Sequence, residues 1–131
     1  MPIVQVTALR QRVGVDLDLV SRAIADAVSR ELGEEPSGTW VTWQTLAPGA
    51  YREGVDDAPL DQPDATHPPI VRISAFEGRP PELVARVLSA VAGIVVRELG
   101  LQPGNVFVVW DELRAGQVHS GGAMPGTQGL L

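Results

Sequence analysis

Cysteine is absent from the 131 residues, which excludes disulfides and thiol nucleophiles. Lysine is absent too. All ten basic residues are arginine, so no side-chain amine is available, and removal of Met1 would leave the α-amine as the only amine in the chain. The two histidines, His67 and His119, lie too far apart in sequence for a metal-ligand motif, and neither a metal nor a cofactor is expected. No apolar run approaches the roughly 20 residues that a membrane-spanning helix needs. The start lacks a basic segment followed by an apolar stretch, so no secretory signal is expected and the cytoplasm is the expected compartment. Positive charge is scarce, with 16 acidic residues giving a net charge of -6. Scattered arginines on an acidic chain argue against nucleic-acid binding, which needs a concentrated basic surface. A small ligand is the expected partner.

What the chain does contain is itself twice. Pro2 to Ala8 (PIVQVTA) superimposes without a gap on Pro69 to Ala75 (PIVRISA), and Arg30 to Pro36 (RELGEEP) on Arg97 to Pro103 (RELGLQP). The same register matches Arg12 with Arg79, Val41 with Val108, Trp43 with Trp110 and Gly49 with Gly116. Each copy opens on an alternating β-branched segment that predicts a strand. In the first copy Leu17, Val20, Ile24, Val28 and Leu32 then recur at helical spacing, with Asp16 placed to cap the helix and Gly33 to end it. The second has Leu83, Val87, Val91, Val95 and Leu99 between Pro80-Pro81 and Gly100. Second strands are predicted at Thr39 to Gln44 and Val106 to Asp111.

A strand, a helix and a parallel strand make a β-α-β unit. Two units predict an α/β (α+β) fold in which a four-stranded sheet has both helices on one face. The other face is expected to be apolar and covered by copies of the same chain. The whole chain reads as a single domain, 1–131, with repeats at 2–51 and 69–118. Between them, the proline- and aspartate-rich segment 52–68 reads as a joining loop or a lid, and 119–131 as a tail that frays or reaches a neighbouring subunit.

Proline directly after the initiator methionine is a position where that methionine is commonly trimmed, which would free a secondary amine at Pro2. Burial beside cationic arginines favours the neutral form of such an amine and suits it to carrying protons. Pro69, with both neighbours attached, is an amide and cannot do this.

MPIVQV at the start, AFEGR from Ala75 to Arg79 and the paired β-α-β units together resemble the tautomerase superfamily, typified by 4-oxalocrotonate tautomerase. The double length resembles its fused members. The likeness runs over Pro2 to Tyr51 and Pro69 to Gly122. It implies a MIF-like homotrimer of pseudo-dimers with one Pro2 site per chain, Pro2 as acid/base and an arginine holding the substrate's carboxylate. In that family the opposite unit supplies the arginine, which assigns Arg79 to Pro2 and leaves Arg12 beside the inert Pro69. A guanidinium suits the task because its planar donors grip a carboxylate in parallel.

Where the family's tautomerase has a second arginine, this chain has Trp40 and Phe107. The fused dehalogenase pattern is missing at Val28, Phe76 and Ser120. Trp40, Tyr51 and Phe107 are expected to wall an apolar substrate pocket, and His119 is a further acid/base candidate. The expected activity is therefore an isomerase acting on a small carboxylate-bearing enol or oxo-acid. Two alternatives stay open: a decarboxylase or hydratase of a three-carbon acid, and a non-catalytic trimer used for binding or assembly.

Overall fold

The computed structural model describes residues 1–55, 59–63 and 65–120. The remainder of the predicted tail, 121–131, lies outside the described residues, as do 56–58 and 64 of the joining segment.

Six main elements follow in the order β1 (Ile3–Ala8), α1 (Leu17–Leu32), β2 (Trp40–Thr45), β3 (Ile70–Phe76), α2 (Pro81–Leu99) and β4 (Phe107–Leu113). They form one sheet in the order β2-β1-β3-β4. Within each unit the strands are parallel, and the units meet through the antiparallel pair β1 and β3. The fold is the expected one of two helices on a four-stranded mixed sheet.

Strand alternation builds the core. Val4 and Val6 of β1 and Val71 and Ile73 of β3 point to one face, where they meet Val20, Ile24 and Val28 of α1 and Val87, Val91 and Val95 of α2, all buried. The helical residues recur every three or four positions and so form one stripe on each helix. Asp16 caps α1, its carboxylate accepting from the backbone N–H groups of Asp18 and Leu19 at 3.1 and 3.2 Å. Gly33 ends the helix in the left-handed region (φ 70°), where a side chain would be strained. In contrast, α2 starts at Pro81 without a side-chain cap, because proline at the first turn lacks an N–H that needs one.

Both second strands begin one residue later than predicted. Thr39 still donates its N–H to Pro36 in a short turn, and the ladder opens with Trp40 N–H on Pro2 O at 3.0 Å. A larger correction concerns the sheet face away from the helices. Register places Gln5 between Thr42 and Arg72, and Thr7 between Gln44 and Ile70. The centre of this face is thus polar, while Ile3 with Trp40, Ile70 with Phe107, Val109 beside Arg72 and Phe76 with Leu113 keep its margins apolar. Polarity comes from Gln5, Thr7, Thr42, Gln44, Arg72 and Ser74, which alternate with the inward residues of β1, β2 and β3, whereas β4 presents Val109 and Leu113 here.

The described part of the joining segment lies against the Pro69 end of the sheet. Gln62 donates its backbone N–H to Arg10 O (2.9 Å) and its side-chain amide to Thr66 O (3.0 Å) and to Pro68 O. Arg10 pairs with Asp61 at 2.5 Å. No helix among the described residues is long and apolar enough to cross a membrane.

Candidate active site

Antiparallel pairing sets Ile3 opposite Ser74, so the chain leaves β3 at the sheet end where β1 begins. There it turns at Gly78, whose φ of 105° is open only to glycine, and brings Arg79 back toward Pro2. The Arg79 guanidinium is largely buried. Its Nη1 donates to Phe76 O at 3.0 Å and its Nη2 to Glu34 Oε1 at 2.7 Å. Glu34 follows the glycine that ends α1, and its backbone N–H is held by Ser29 O at 2.9 Å. The second carboxylate oxygen lies 3.7 Å from the terminal ammonium of Met1. Met1 Sδ is in turn 3.8 Å from the Ser120 hydroxyl. The start of β1, the end of α1, the β3–α2 turn and Ser120 therefore converge on one place.

Pro2 is fully buried in this cluster. With Met1 attached its nitrogen is an amide, while trimming Met1 would put a secondary amine at the position that Glu34 and Arg79 flank. A carboxylate there favours the charged form of the amine and a guanidinium the neutral form. The ion pair between them cancels much of each effect, so the simple expectation of an amine neutralised by arginines is too one-sided. Trp40 adjoins Pro2 through the backbone hydrogen bond already described, with half of its surface exposed on the open face.

The repeat-related end of the sheet is built differently. Pro69 is buried and accepts from Phe107 N–H at 3.0 Å. Leu101, buried, occupies the position equivalent to Glu34. Arg12 forms no ion pair among the described residues. Its guanidinium lies against Gly100, where any β-carbon would collide with it. Arg10, Gln11, Arg12, Val13, Asp61 and Gln62 line a cleft of about 380 Å3 here.

Tyr51 belongs to the joining segment's network. Its hydroxyl donates to Glu53 Oε1 at 2.6 Å, and Thr66 donates to the same oxygen at 2.5 Å. Burial, then the hydrogen bond and charge of Glu53, push the phenol up to about 12, with Thr66 opposing. The Thr66 and Tyr51 hydroxyls hold the Glu53 carboxyl below its ordinary range.

Of the residues singled out from sequence, Pro2, Arg79 and Trp40 lie at the same end of the sheet. The structure sets Tyr51 and Phe107 at the Pro69 end, so within one chain they do not wall the Pro2 site. The cause is the antiparallel seating of the units, which sends equivalent strand starts to opposite sheet ends. His119 is exposed, one residue before Ser120. The residue that sequence reasoning missed is Glu34. Its signal was one of two mismatches in the best-matched segment, RELGEEP against RELGLQP: Glu34 stands where the second copy has the core leucine Leu101.

Residues 69–128 match the family model for tautomerase enzyme. No curated protein matches the chain in sequence. Among solved structures, native fused 4-OT superimposes with a TM-score of 0.83 at 15% identity, over 97% of this chain and 98% of that one. Pt0534 inactivated by 2-oxo-3-pentynoate gives 0.75 at 17% identity, over 93% and 94%. The R7 fused 4-OT asymmetric trimer gives 0.82 at 12% identity, over 97% and 98%. The second unit thus matches the tautomerase model, the first repeats that unit in sequence, and the whole chain has the fold of the fused 4-OT structures.

Proposed function

We propose that this protein is a cytoplasmic tautomerase that works as a homotrimer, with the Pro2 amine, freed of Met1, as general acid/base and Arg79 as the anchor for the carboxylate of a small enol or oxo-acid. The observation that carries this reading is the convergence of buried Pro2 and the Arg79 guanidinium at one sheet end, each from a different unit. Neutral Pro2 takes the enol hydroxyl proton and returns a proton to carbon, giving the keto form, while Arg79 fixes the carboxylate through two donors. Trp40, exposed beside Pro2, supplies an apolar surface for the rest of the substrate. Trimeric assembly is supported by the fused 4-OT trimer of the same fold, and it would cover the open face and bring residues of a neighbouring chain, such as Phe107, toward the site.

The test uses the scarcity of nucleophiles. The chain has neither lysine nor cysteine, so 2-oxo-3-pentynoate, which inactivates the structurally similar Pt0534, should add once, at Pro2, as read by intact mass and peptide mapping. Pro2→Ala should abolish labelling and lower the rate of phenylenolpyruvate ketonisation by about 10²–10⁴-fold, the usual worth of a positioned acid/base. Labelling elsewhere, or full activity in Pro2→Ala, would overturn the reading.

The proximity of Glu34 to the chain's terminal ammonium favours a second reading, in which Pro2 stays protonated and polarises a substrate carbonyl for decarboxylation or hydration. Titration of the Pro2 amine by NMR separates the two: neutral at pH 7 supports the isomerase, charged supports the lyase.

A further inference from the structure

The anion anchor proposed above is already occupied. Arg79 directs Nη1 at a backbone carbonyl and Nη2 at the Glu34 carboxylate at 2.7 Å, and both side chains are mostly shielded, at 20% and 28% exposure. The fold does not require an acid at this position, because the equivalent residue in the other unit is Leu101, packed in the core. Arg12, the equivalent arginine, stands without an acidic partner among the described residues. An acid thus faces the arginine only at the end that carries Pro2. Backbone geometry fixes it there: Gly33 turns the chain in the left-handed region and Ser29 O holds the Glu34 N–H.

We propose that Glu34 is an internal ligand of Arg79 that a substrate's carboxylate must displace, which makes Glu34 the residue that sets the site's selectivity between anionic and neutral substrates. A carboxylate that takes Nη2 must share that nitrogen with Glu34, and two carboxylates side by side repel. Anionic ligands are consequently bound more weakly than a free guanidinium would bind them, while neutral carbonyl compounds of the same shape meet no such competitor. The proposal rests on the reading of the Arg79 end as the substrate site, but not on Pro2 being the acid/base.

Isothermal titration calorimetry with phenylacetate and its neutral isostere phenylacetamide tests it without turnover. Glu34→Gln and Glu34→Ala should each bind phenylacetate about tenfold more tightly than the parent, the order expected when one charge-assisted hydrogen bond need not be broken first. Phenylacetamide binding should change less than about twofold on the same reasoning, and Arg79→Ala should lose the gain when combined with Glu34→Gln. Thermal melts confirm that each variant is folded, and repetition in Pro2→Ala keeps the result independent of the catalytic assignment. Unchanged, weaker or undetectable phenylacetate binding in both Glu34 variants would overturn the proposal. If phenylacetate binds equally well with and without Arg79, the site reading itself fails.

Discussion

Arg79 Nη2 meets Glu34 Oε1 at 2.7 Å across the seam between the two repeat units. The start of α2 in one copy is tied by this pair to the end of α1 in the other, at the sheet end where Pro2 is buried. Equivalent positions at the far end hold Arg12 and Leu101, so the duplicated units are alike in fold and unlike in charge.

Arg79→Ala should lower kcat/KM for phenylenolpyruvate ketonisation by about 10- to 100-fold, mainly through KM, the order of one lost charge-assisted hydrogen bond. Arg79→Lys should recover only part of this, because an ammonium cannot form the planar fork. Steady-state kinetics of the two variants check both statements. A fall in kcat alone would place Arg79 outside ground-state binding.

Tyr51 is the only tyrosine, so phenolate absorbance reports it directly. Its midpoint should lie near 12 rather than the ordinary 10.0, and Glu53→Gln should move it partway down, leaving the contribution of burial. In folded protein the phenol holds its proton more tightly than in unfolded protein. Its stabilising effect is therefore complete below pH 10 and is lost as pH rises toward 12. Chemical denaturation at alkaline pH should show a shallower decline in Glu53→Gln. A parent midpoint near 10 would disprove the Tyr51–Glu53 bond.

The Ser29 and Thr39 hydroxyls are buried and 2.6 Å apart. Truncating one leaves the other without this partner, so Ser29→Ala should cost about 1–3 kcal/mol. The second unit has Val96 and Val106 at these positions, which shows how the same fold fills the space without polar groups. Ser29→Val combined with Thr39→Val should accordingly be much less destabilising than Ser29→Ala. Urea denaturation of the single and double variants tests the non-additivity.

The helix caps predict a difference between units. Asp16→Ala should destabilise by about 1 kcal/mol through loss of a side-chain acceptor for two N–H groups. Its repeat counterpart, Leu83, does not cap α2, so Leu83→Ala should leave helix-start hydrogen exchange unchanged. Exchange rates at Asp18 and Leu19 that do not rise in Asp16→Ala would refute the cap.

The strands and helices were legible because alternation in Pro2–Ala8 and Pro69–Ala75, and helical spacing from Val20 to Val28 and Val87 to Val95, are local patterns repeated twice. The strand starts slipped by one residue at Thr39 because a backbone turn to Pro36 outcompetes the ladder there. The open face was misjudged because Gln5, Thr7 and Arg72 alternate with the core residues that dominate the composition. At the candidate site, Pro2 and Arg79 could be named from residue chemistry together with family resemblance. Glu34 could not. Whether an acid just past a helix end faces water or a guanidinium depends on how the units are seated, and that relationship joins residues 45 apart. The same seating separates Tyr51 and Phe107 from Pro2, although all three were drawn into one pocket from sequence.

The two inner strands, β1 and β3, come from different units, and the cores of both units merge between α1 and α2. Neither half can leave without stripping the other of its central strand neighbour, so the halves should melt together rather than one after the other. Cutting the chain within the joining segment would then yield two fragments that reassemble when mixed. Each would present a complementary half of a single core, and recovered Pro2 labelling would report their reunion.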